Sequence, residues 1–382
     1  MPDLSAIQTA LEQAVSQGVF PGAVLAVRHG GNPVVQLCAG HLATIPKGPP
    51  VQPATLYDLA SLTKPLATVT SLVLLMQQGR CRLDDRVTHH LPECAGSPIE
   101  GATIWHLLTH SSGLPGWRGF YERLSPDGTV PRSRAERDRA KQSVLALIAA
   151  EAPVYERGTR SLYSDLGFML LGIIVERCSG RSLAELFWER IRGPLGDPRA
   201  EFVLAERVQE FVERSRDMGG VAATEVDQWR GRMLCGEVHD QNAGALGGEA
   251  GHAGLFGTAE AVLAVTGEWI HAYHGRKAIL DQAIVHEFTR RQMDQTTSSW
   301  ALGWDTPSGR SSAGRHFHPE SFGHLGYTGT SIWVDPVDEL EVVLLSNRVH
   351  PTSKNDAIRE FRPLVHDLVY QEFVGSRYGR SG

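Results

Sequence analysis

Signals that would tie this chain to a membrane, a nucleic acid or an oxidising compartment are scarce in its 382 residues. The longest apolar runs, such as GFMLLGIIV at 167–175, fall well short of the roughly 20 residues a spanning helix needs. The N-terminal segment MPDLSAIQTALEQAVSQGVF lacks the charged start, apolar run and small-residue cleavage site of a secretory leader, so a cytoplasmic protein is expected. Basic residues number 37 against 43 acidic, a net charge of −6 with no basic run, which argues against nucleic-acid and anionic-membrane partners. Cysteine is sparse as well. The five residues, Cys38, Cys81, Cys94, Cys178 and Cys235, are scattered, odd in number and without C-x-x-C spacing, so reduced thiols are expected. His239-Asp240 and His316-x-His318 have no third ligand at zinc-like spacing, and neither a metal nor any other cofactor is expected. There is no repeat or low-complexity tract.

What is present reads as a packed enzyme, with 42% hydrophobic and 21% charged residues. After an amphipathic first helix, GAVLAVRHGGNPVVQLCAG (22–40) gives two β-rich runs around a Gly-Gly-Asn-Pro turn. TSIWVDPVDELEVVLLSNR (330–348) gives two more, and NDAIREFRPLVHDLVYQEFV (355–374) keeps helical spacing despite Pro363. Strands from both ends are expected to share one antiparallel sheet, flanked by the terminal helices. Between them, four segments carry the 3.6-residue pattern: PLATVTSLVLLMQQ, RAERDRAKQSVLALIAA, LGFMLLGIIVERCSG and TAEAVLAVTGEWIHAY. The expected α/β (α+β) architecture is therefore a single catalytic domain over 1–382. A sheet lobe comes from about 1–60 and 300–382, and an inserted, mainly helical lobe from about 61–300. Segments 124–140 and 295–320 read as surface loops.

The chemistry concentrates in LYDLASLTKPLATVTSLVLLMQQG (56–79). A helical turn at 61–64 places the Ser61 hydroxyl beside the Lys64 amine. Pro65 is tolerated in a first turn, and the helix N-terminus favours negative charge developing at Ser61, whose own N–H offers an oxyanion donor. By itself S-x-x-K also describes a serine near a helix start followed by a solvated lysine. The chain has only five lysines against 32 arginines, and Lys64 alone follows a serine by three positions. Lysine, unlike arginine, is a cation that burial can deprotonate.

This stretch resembles the serine motif of the class C β-lactamase-like superfamily, the serine hydrolases that share the fold of β-lactamases and penicillin-binding proteins. Four further segments follow in register: TIWHLLTHSSGLPGW (103–117), LYSDLGFMLLGIIVE (162–176), VHDQNAGALGGEAGHAGLFGTAEAV (238–262) and FGHLGYTGTSIWVDP (322–336). They are similar to the family's Leu-Leu-Thr-His loop, its Tyr-x-Asn motif, a loop-helix segment and the strand carrying Lys-Thr-Gly or His-x-Gly. The resemblance implies the β-lactamase/transpeptidase-like fold and acyl transfer through an acyl-enzyme. It makes Ser61 the nucleophile, Lys64 its proton partner, Tyr163 the phenol acting with Lys64 as base, and the N–H of Tyr327, after Gly326, the second oxyanion donor. Lys and Tyr both titrate near ~10, so a base at pH ~7 requires about 4 kcal/mol from the surroundings.

Two departures from the family pattern bear on substrate. Tyr163-Ser164-Asp165 puts an acid where the motif has an amide; beside Lys64, Asp165 is expected to hold the amine cationic and to make a low-pKa phenolate harder to form. His324-Leu325-Gly326 replaces Lys-Thr-Gly, so a cation and a hydroxyl that help bind a substrate carboxylate are missing. Esters or amides lacking that carboxylate become the expected substrates, with a carboxylesterase of small acyl groups favoured. A β-lactamase or D-amino-acid peptidase is the alternative, and a non-catalytic scaffold with this fold the alternative of another class. His110, Ser111 and His252 are read as loop-shaping, and Trp117, Tyr121, Trp304 and Tyr327 as either acyl-pocket walls or core. The partner expected is a small acyl substrate; oligomeric state is not legible. An α/β-hydrolase is excluded because no G-x-S-x-G elbow is present.

Overall fold

The computed structural model describes residues 2–294 and 296–375. Its main sheet grows from the two hairpins anticipated at the chain ends. Strand Gly22–His29 pairs antiparallel with Val35–Gly40 on one side and with Leu340–Ser346 on the other, followed by Ser331–Asp335 and Phe322–Leu325 at the far edge. The strands facing each other are therefore from opposite ends of the sequence, with Ala23 opposite Ser346 and His29 opposite Leu340.

Alternation along these strands serves two cores, because successive side chains point to opposite faces. Ala23, Leu25 and Val27, with Val342 and Leu344, pack under helices Ser5–Ser16 and Ile358–Tyr370. Val24, Ala26, Val343 and Leu345 face the other way, into the larger core shared with the inserted helices. Helix Ala259–Tyr273 covers this second face and takes part in a buried polar cluster. Glu341 accepts from Arg28 Nε at 2.7 Å and from Thr266 Oγ1 at 2.6 Å, which satisfies a carboxylate that burial otherwise penalises.

The four long helical segments form as expected, at Lys64–Gln77, Arg134–Ala149, Asp165–Ser179 and Ala259–Tyr273. Two differences matter. The loop expected over 124–140 ends at Ser133, where a reciprocal cap between Ser133 and Glu136 starts the helix. A small three-stranded sheet also joins the end of the first sheet segment to the mainly helical lobe, with Tyr57–Asp58 from the one and Leu255–Gly257 and Ala200–Phe202 from the other, and none of these strands was anticipated. Strands of two or three residues are too short to show a period. This sheet joins the chain entering Ser61 to the loop preceding Leu255: Leu59 donates to the Leu255 carbonyl at 3.0 Å, and Thr63 Oγ1 accepts from Leu255 N at 3.1 Å.

The same loop crosses helix Asp165–Ser179 at a contact that only glycine allows. A Cβ at Gly251 would lie 2.1 Å from the Phe168 carbonyl, and one at Gly172 would lie 2.8 Å from Gly251 Cα. The backbones touch, and the loop is held where Gly251 O accepts from Thr68 Oγ1 at 2.7 Å. Among the described residues no helix is long and apolar enough to cross a membrane.

Candidate active site

Ser61 stands in a sharp turn between strand Tyr57–Asp58 and the helix beginning at Lys64. Ala60, just before it, has φ 48°, a left-handed conformation that costs a non-glycine residue on the order of 1 kcal/mol. Buried Asp58 holds that turn: one oxygen accepts from Ala60 N at 2.8 Å and the other from His239 N at 2.6 Å. After Ser61 the helix does not wind regularly at once. Lys64–Val69 forms a wide π turn, with Thr70 Oγ1 donating to the Pro65 carbonyl at 2.9 Å, before α-geometry sets in at Thr70.

The Lys64 side chain is completely buried and makes three contacts. Its Nζ lies 2.9 Å from Ser61 Oγ, 2.6 Å from Asp165 Oδ1 and 3.2 Å from the His252 carbonyl oxygen. The Tyr163 ring centre is 4.8 Å from the same Nζ, which puts the phenol under the influence of Lys64 and Ser61. Burial pushes the Lys64 amine down, yet the Asp165 charge, and after it Tyr163, more than offset this and leave it raised. Burial pushes the Tyr163 phenol up; Lys64 opposes that shift and Asp165 adds to it, so the phenol titrates above its ordinary range. Both groups able to take the Ser61 proton are thus held protonated at neutral pH.

Aromatic packing fixes Tyr163. Its ring lies 4.7 Å from His110, 5.6 Å from Trp300 and 6.0 Å from His324, centre to centre. His110 accepts at Nδ1 from Ser164 N at 3.0 Å and through its carbonyl from Leu162 N at 2.9 Å and the Tyr155 hydroxyl at 2.7 Å. It clamps both sides of Tyr163 in the chain, which is the loop-shaping role expected of it. Burial, with the Lys64 charge second, holds His110 well below its ordinary range, so it stays neutral. His252 is positional too: its carbonyl meets Lys64, while its Nε2 lies 2.8 Å from Asp240 Oδ1. Against the effect of burial, His252 holds Asp240 below the carboxylate range.

His324 occupies the edge strand Phe322–Leu325 and is buried, not open to solvent. Its Nδ1 lies 2.8 Å from the Leu325 carbonyl oxygen, and among the described residues its Nε2 has no partner. Burial and the nearby Lys64 charge push it down to about 3, so no cation stands at this position. The turn beyond it is stitched to the segment that leads into Ser61. Thr328 Oγ1 donates to the Asp58 carbonyl at 2.8 Å, Thr330 Oγ1 to the Leu59 carbonyl at 3.0 Å, and a Cβ at Gly326 would lie 1.9 Å from Thr330 Oγ1. The Tyr327 N–H has no partner among the described residues, while its ring is 55% exposed beside His239 and the Arg348 guanidinium.

Ser61, Lys64, Tyr163, Asp165 and His324 are brought together, with Gly326 and Tyr327 on the adjoining turn. Of the aromatics expected to be walls or core, Trp304 is fully buried core, whereas Trp117 and Tyr327 are exposed. Trp300, against Tyr163, His110 and His324, went unseen in the sequence because it lies in an irregular segment without periodicity. Arg362 of the C-terminal helix was unseen as well; its Nη2 donates to the carbonyls of Gly326 at 3.0 Å and Thr330 at 2.8 Å. A cavity of about 630 Å³ around Lys141, Glu176 and Trp188 is separate, since Ser61, Lys64 and Tyr163 do not line it. Of the histidine pairs considered for metal, neither takes part in the one cluster of three potential ligands among the described residues, Asp85, His89 and His90.

The chain is similar to several known proteins. A protein of Escherichia coli (strain K12) with the provisional name D-alanyl-D-alanine carboxypeptidase is 31% identical over 318 residues, 78% of this chain and 70% of that protein. The N-acetylmuramyl-L-alanine amidase of Bacillus subtilis (strain 168) is 30% identical over 372 residues, 91% of this chain and 81% of the amidase. A penicillin-binding protein homologue from Caulobacter crescentus shares the fold, with a TM-score of 0.72 at 22% identity and 97% of both chains covered. Residues 7–366 match the Beta-lactamase family, and the chain belongs to that family of serine hydrolases.

Proposed function

We propose that the protein hydrolyses amide bonds to uncharged acyl groups, of the muramyl–L-alanine type, through an acyl-enzyme on Ser61. The observation that carries the chemistry is the position of Lys64 Nζ, within hydrogen-bond reach of Ser61 Oγ and Asp165 at once. Ser61 Oγ attacks the carbonyl carbon and its proton passes into the Lys64–Tyr163 pair. The carbonyl oxygen takes up negative charge facing the N–H groups of Ser61 and Tyr327. Collapse expels the amine, which takes the proton back from the pair, and water then releases the acyl group by the same route.

Two observations support this substrate class. His324 is neutral and Leu325 has no hydroxyl, so the place where relatives with Lys-Thr-Gly meet a carboxylate has neither charge nor donor to offer. A relative that covers 91% of this chain is named N-acetylmuramyl-L-alanine amidase, for an amide bond to L-alanine. A second reading, a carboxylesterase of small acyl groups, is favoured by the same His324-Leu325 pair, since an ester asks no more of that position than an amide does.

Purified protein should be labelled by a serine-directed fluorophosphonate, and Ser61→Ala should abolish the label. It should release L-alaninamide from N-acetylmuramyl-L-alaninamide, whose leaving group carries no carboxylate, with a kcat/KM above those for a D-Ala-D-Ala peptide and nitrocefin. Faster turnover of p-nitrophenyl butyrate alone, with the muramyl amide untouched, moves the assignment to the esterase. Absence of a Ser61 adduct points to the non-catalytic scaffold.

A further inference from the structure

The helices that start at Lys64 and at Asp165 carry the hydrolytic groups at their N-terminal ends. Their far ends converge on a second polar cluster that the hydrolytic site does not use. Cys178 lies in the last turn of helix Asp165–Ser179, and Cys81 follows helix Thr70–Gln77 by one tight turn. The two thiols interact with each other across these helix ends. Cys178 Sγ also lies 3.3 Å from His90 Nδ1, and His90 Nε2 lies 3.0 Å from Asp85 Oδ2. The surroundings are pinned: Arg177 Nη1 donates to the His90 carbonyl at 3.1 Å, and Arg80 Nη1 to the Cys178 carbonyl at 3.0 Å.

A carboxylate behind an imidazole behind a sulfur is an arrangement that prepares a thiolate, because the acid favours the imidazolium and the imidazolium favours the anion. A helix C-terminus opposes negative charge, so here the stabilisation must come from Cys81 and His90. The Cys81 thiol, against burial and with His90 assisting, brings Cys178 down to about 5. The bond to Cys178 likewise raises His90, with Asp85 adding to it. The other half-buried cysteines behave in the opposite way: burial pushes Cys38 and Cys235 up to about 11. Cys178 is half-buried, while Cys81 is buried.

We propose that Cys178 and Cys81 form a peroxide-reactive dithiol, in which Cys178 attacks the oxidant and Cys81 resolves the product, closing a reversible disulfide across the ends of the two catalytic helices. A sulfur lone pair of the Cys178 thiolate bonds to one oxygen of hydrogen peroxide, and the O–O bond breaks. The departing hydroxide takes the His90 proton as water, leaving Cys178 as a sulfenic acid. Cys81, giving its proton up as it attacks, bonds to the Cys178 sulfur; the S–O bond breaks and hydroxide leaves with that proton as a second water. Two sulfurs are oxidised, one peroxide is reduced, and a thiol such as dithiothreitol reverses the link.

The test treats the whole protein with a small excess of hydrogen peroxide, blocks free thiols with N-ethylmaleimide and maps the peptides by mass spectrometry. The expected result is a Cys81–Cys178 cross-link, with free thiols falling by two from the five of the reduced chain and returning with dithiothreitol. A brief iodoacetamide pulse at about pH 6 on untreated protein should modify Cys178 at least about tenfold faster than Cys38 or Cys235. In Cys81→Ala, dimedone should trap a sulfenic acid at Cys178. In His90→Asn, the Cys178 alkylation rate should drop about tenfold. A cross-link between other cysteines, peroxide consumption without any Cys81–Cys178 bond, or equal alkylation of Cys38, Cys178 and Cys235 overturns the proposal. The mapping and the pulse use the unmodified protein, so they decide the matter even where a variant fails to fold.

Discussion

Lys64 and Asp165 form an ion pair of 2.6 Å in which the amine is wholly buried and the carboxylate keeps one edge toward solvent. The acid comes from the first turn of one helix and the amine from the first turn of another, so each helix dipole meets a charge of different sign. Asp165 is well placed in its own helix, whereas Lys64 sits where a helix N-terminus disfavours a cation. The pair therefore sets the protonation of the site.

Hydrolysis should lean toward alkaline pH. Lys64 and Tyr163 are both raised, so the form able to accept the Ser61 proton gains population only as pH rises. The kcat/KM on a model ester should climb from pH 6 to 9. Asp165→Asn removes the largest influence raising Lys64 and one that raises Tyr163, so the climbing limb should move toward acid by about one pH unit. A flat profile, or one unchanged by the substitution, contradicts the argument.

Breaking the pair from its two sides should have unequal effects on stability. Asp165→Ala strands a fully buried ammonium and should destabilise by about 3–5 kcal/mol. Lys64→Met leaves a carboxylate with some access to water and replaces the amine by an isosteric apolar chain, so its effect should be less than half as large. Urea unfolding of both variants checks this, and equal losses would argue that Asp165 is as dry as Lys64.

His324 should contribute no limb to the rate profile near neutrality. It is held neutral down to about pH 3, so His324→Gln should leave the apparent pKa of kcat/KM in place while changing KM. A shift in the profile would mean that the imidazole titrates during turnover.

Acid should weaken the fold through buried histidines. Burial pushes His366 down to about 4, while its Nδ1 lies 2.7 Å from the Ser312 carbonyl oxygen. A lowered histidine is neutral in the fold, and the unfolded chain binds its proton first as pH falls below about 6.5. Stability from this group is thus complete above pH ~6.5 and is lost as pH falls toward 4, with a slope approaching ~1.4 kcal/mol per pH unit. His366→Asn keeps a donor for Ser312 and should remove that part of the slope in urea titrations between pH 6 and 5.

Much of this was legible before any coordinates, and the reason differs by element. The terminal hairpins announce themselves because β-rich apolar runs flank turn residues at both Gly30-Gly31 and Pro336. Ser61 and Lys64 are legible because a helical turn alone brings them together. Tyr163 and Asp165 entered through the resemblance of their motif, since 101 residues separate Asp165 from Lys64 and no local rule joins them. The small sheet at Tyr57–Asp58 and the Trp300 contact were not legible. One is too short to have a period and the other lies in irregular chain, where packing alone chooses the neighbour.

The sequence by itself determined the elements and the local pair, because period, capping and the three-residue offset act over a few residues. It also carried the substitution of His324 for a cationic position. Only the tertiary structure decided how these groups are charged. Protonation of Lys64, Tyr163 and His324 depends on burial and on charges brought in from distant segments, and that electrostatic environment exists only once the helices, the Gly251 crossing and the edge strand are packed together.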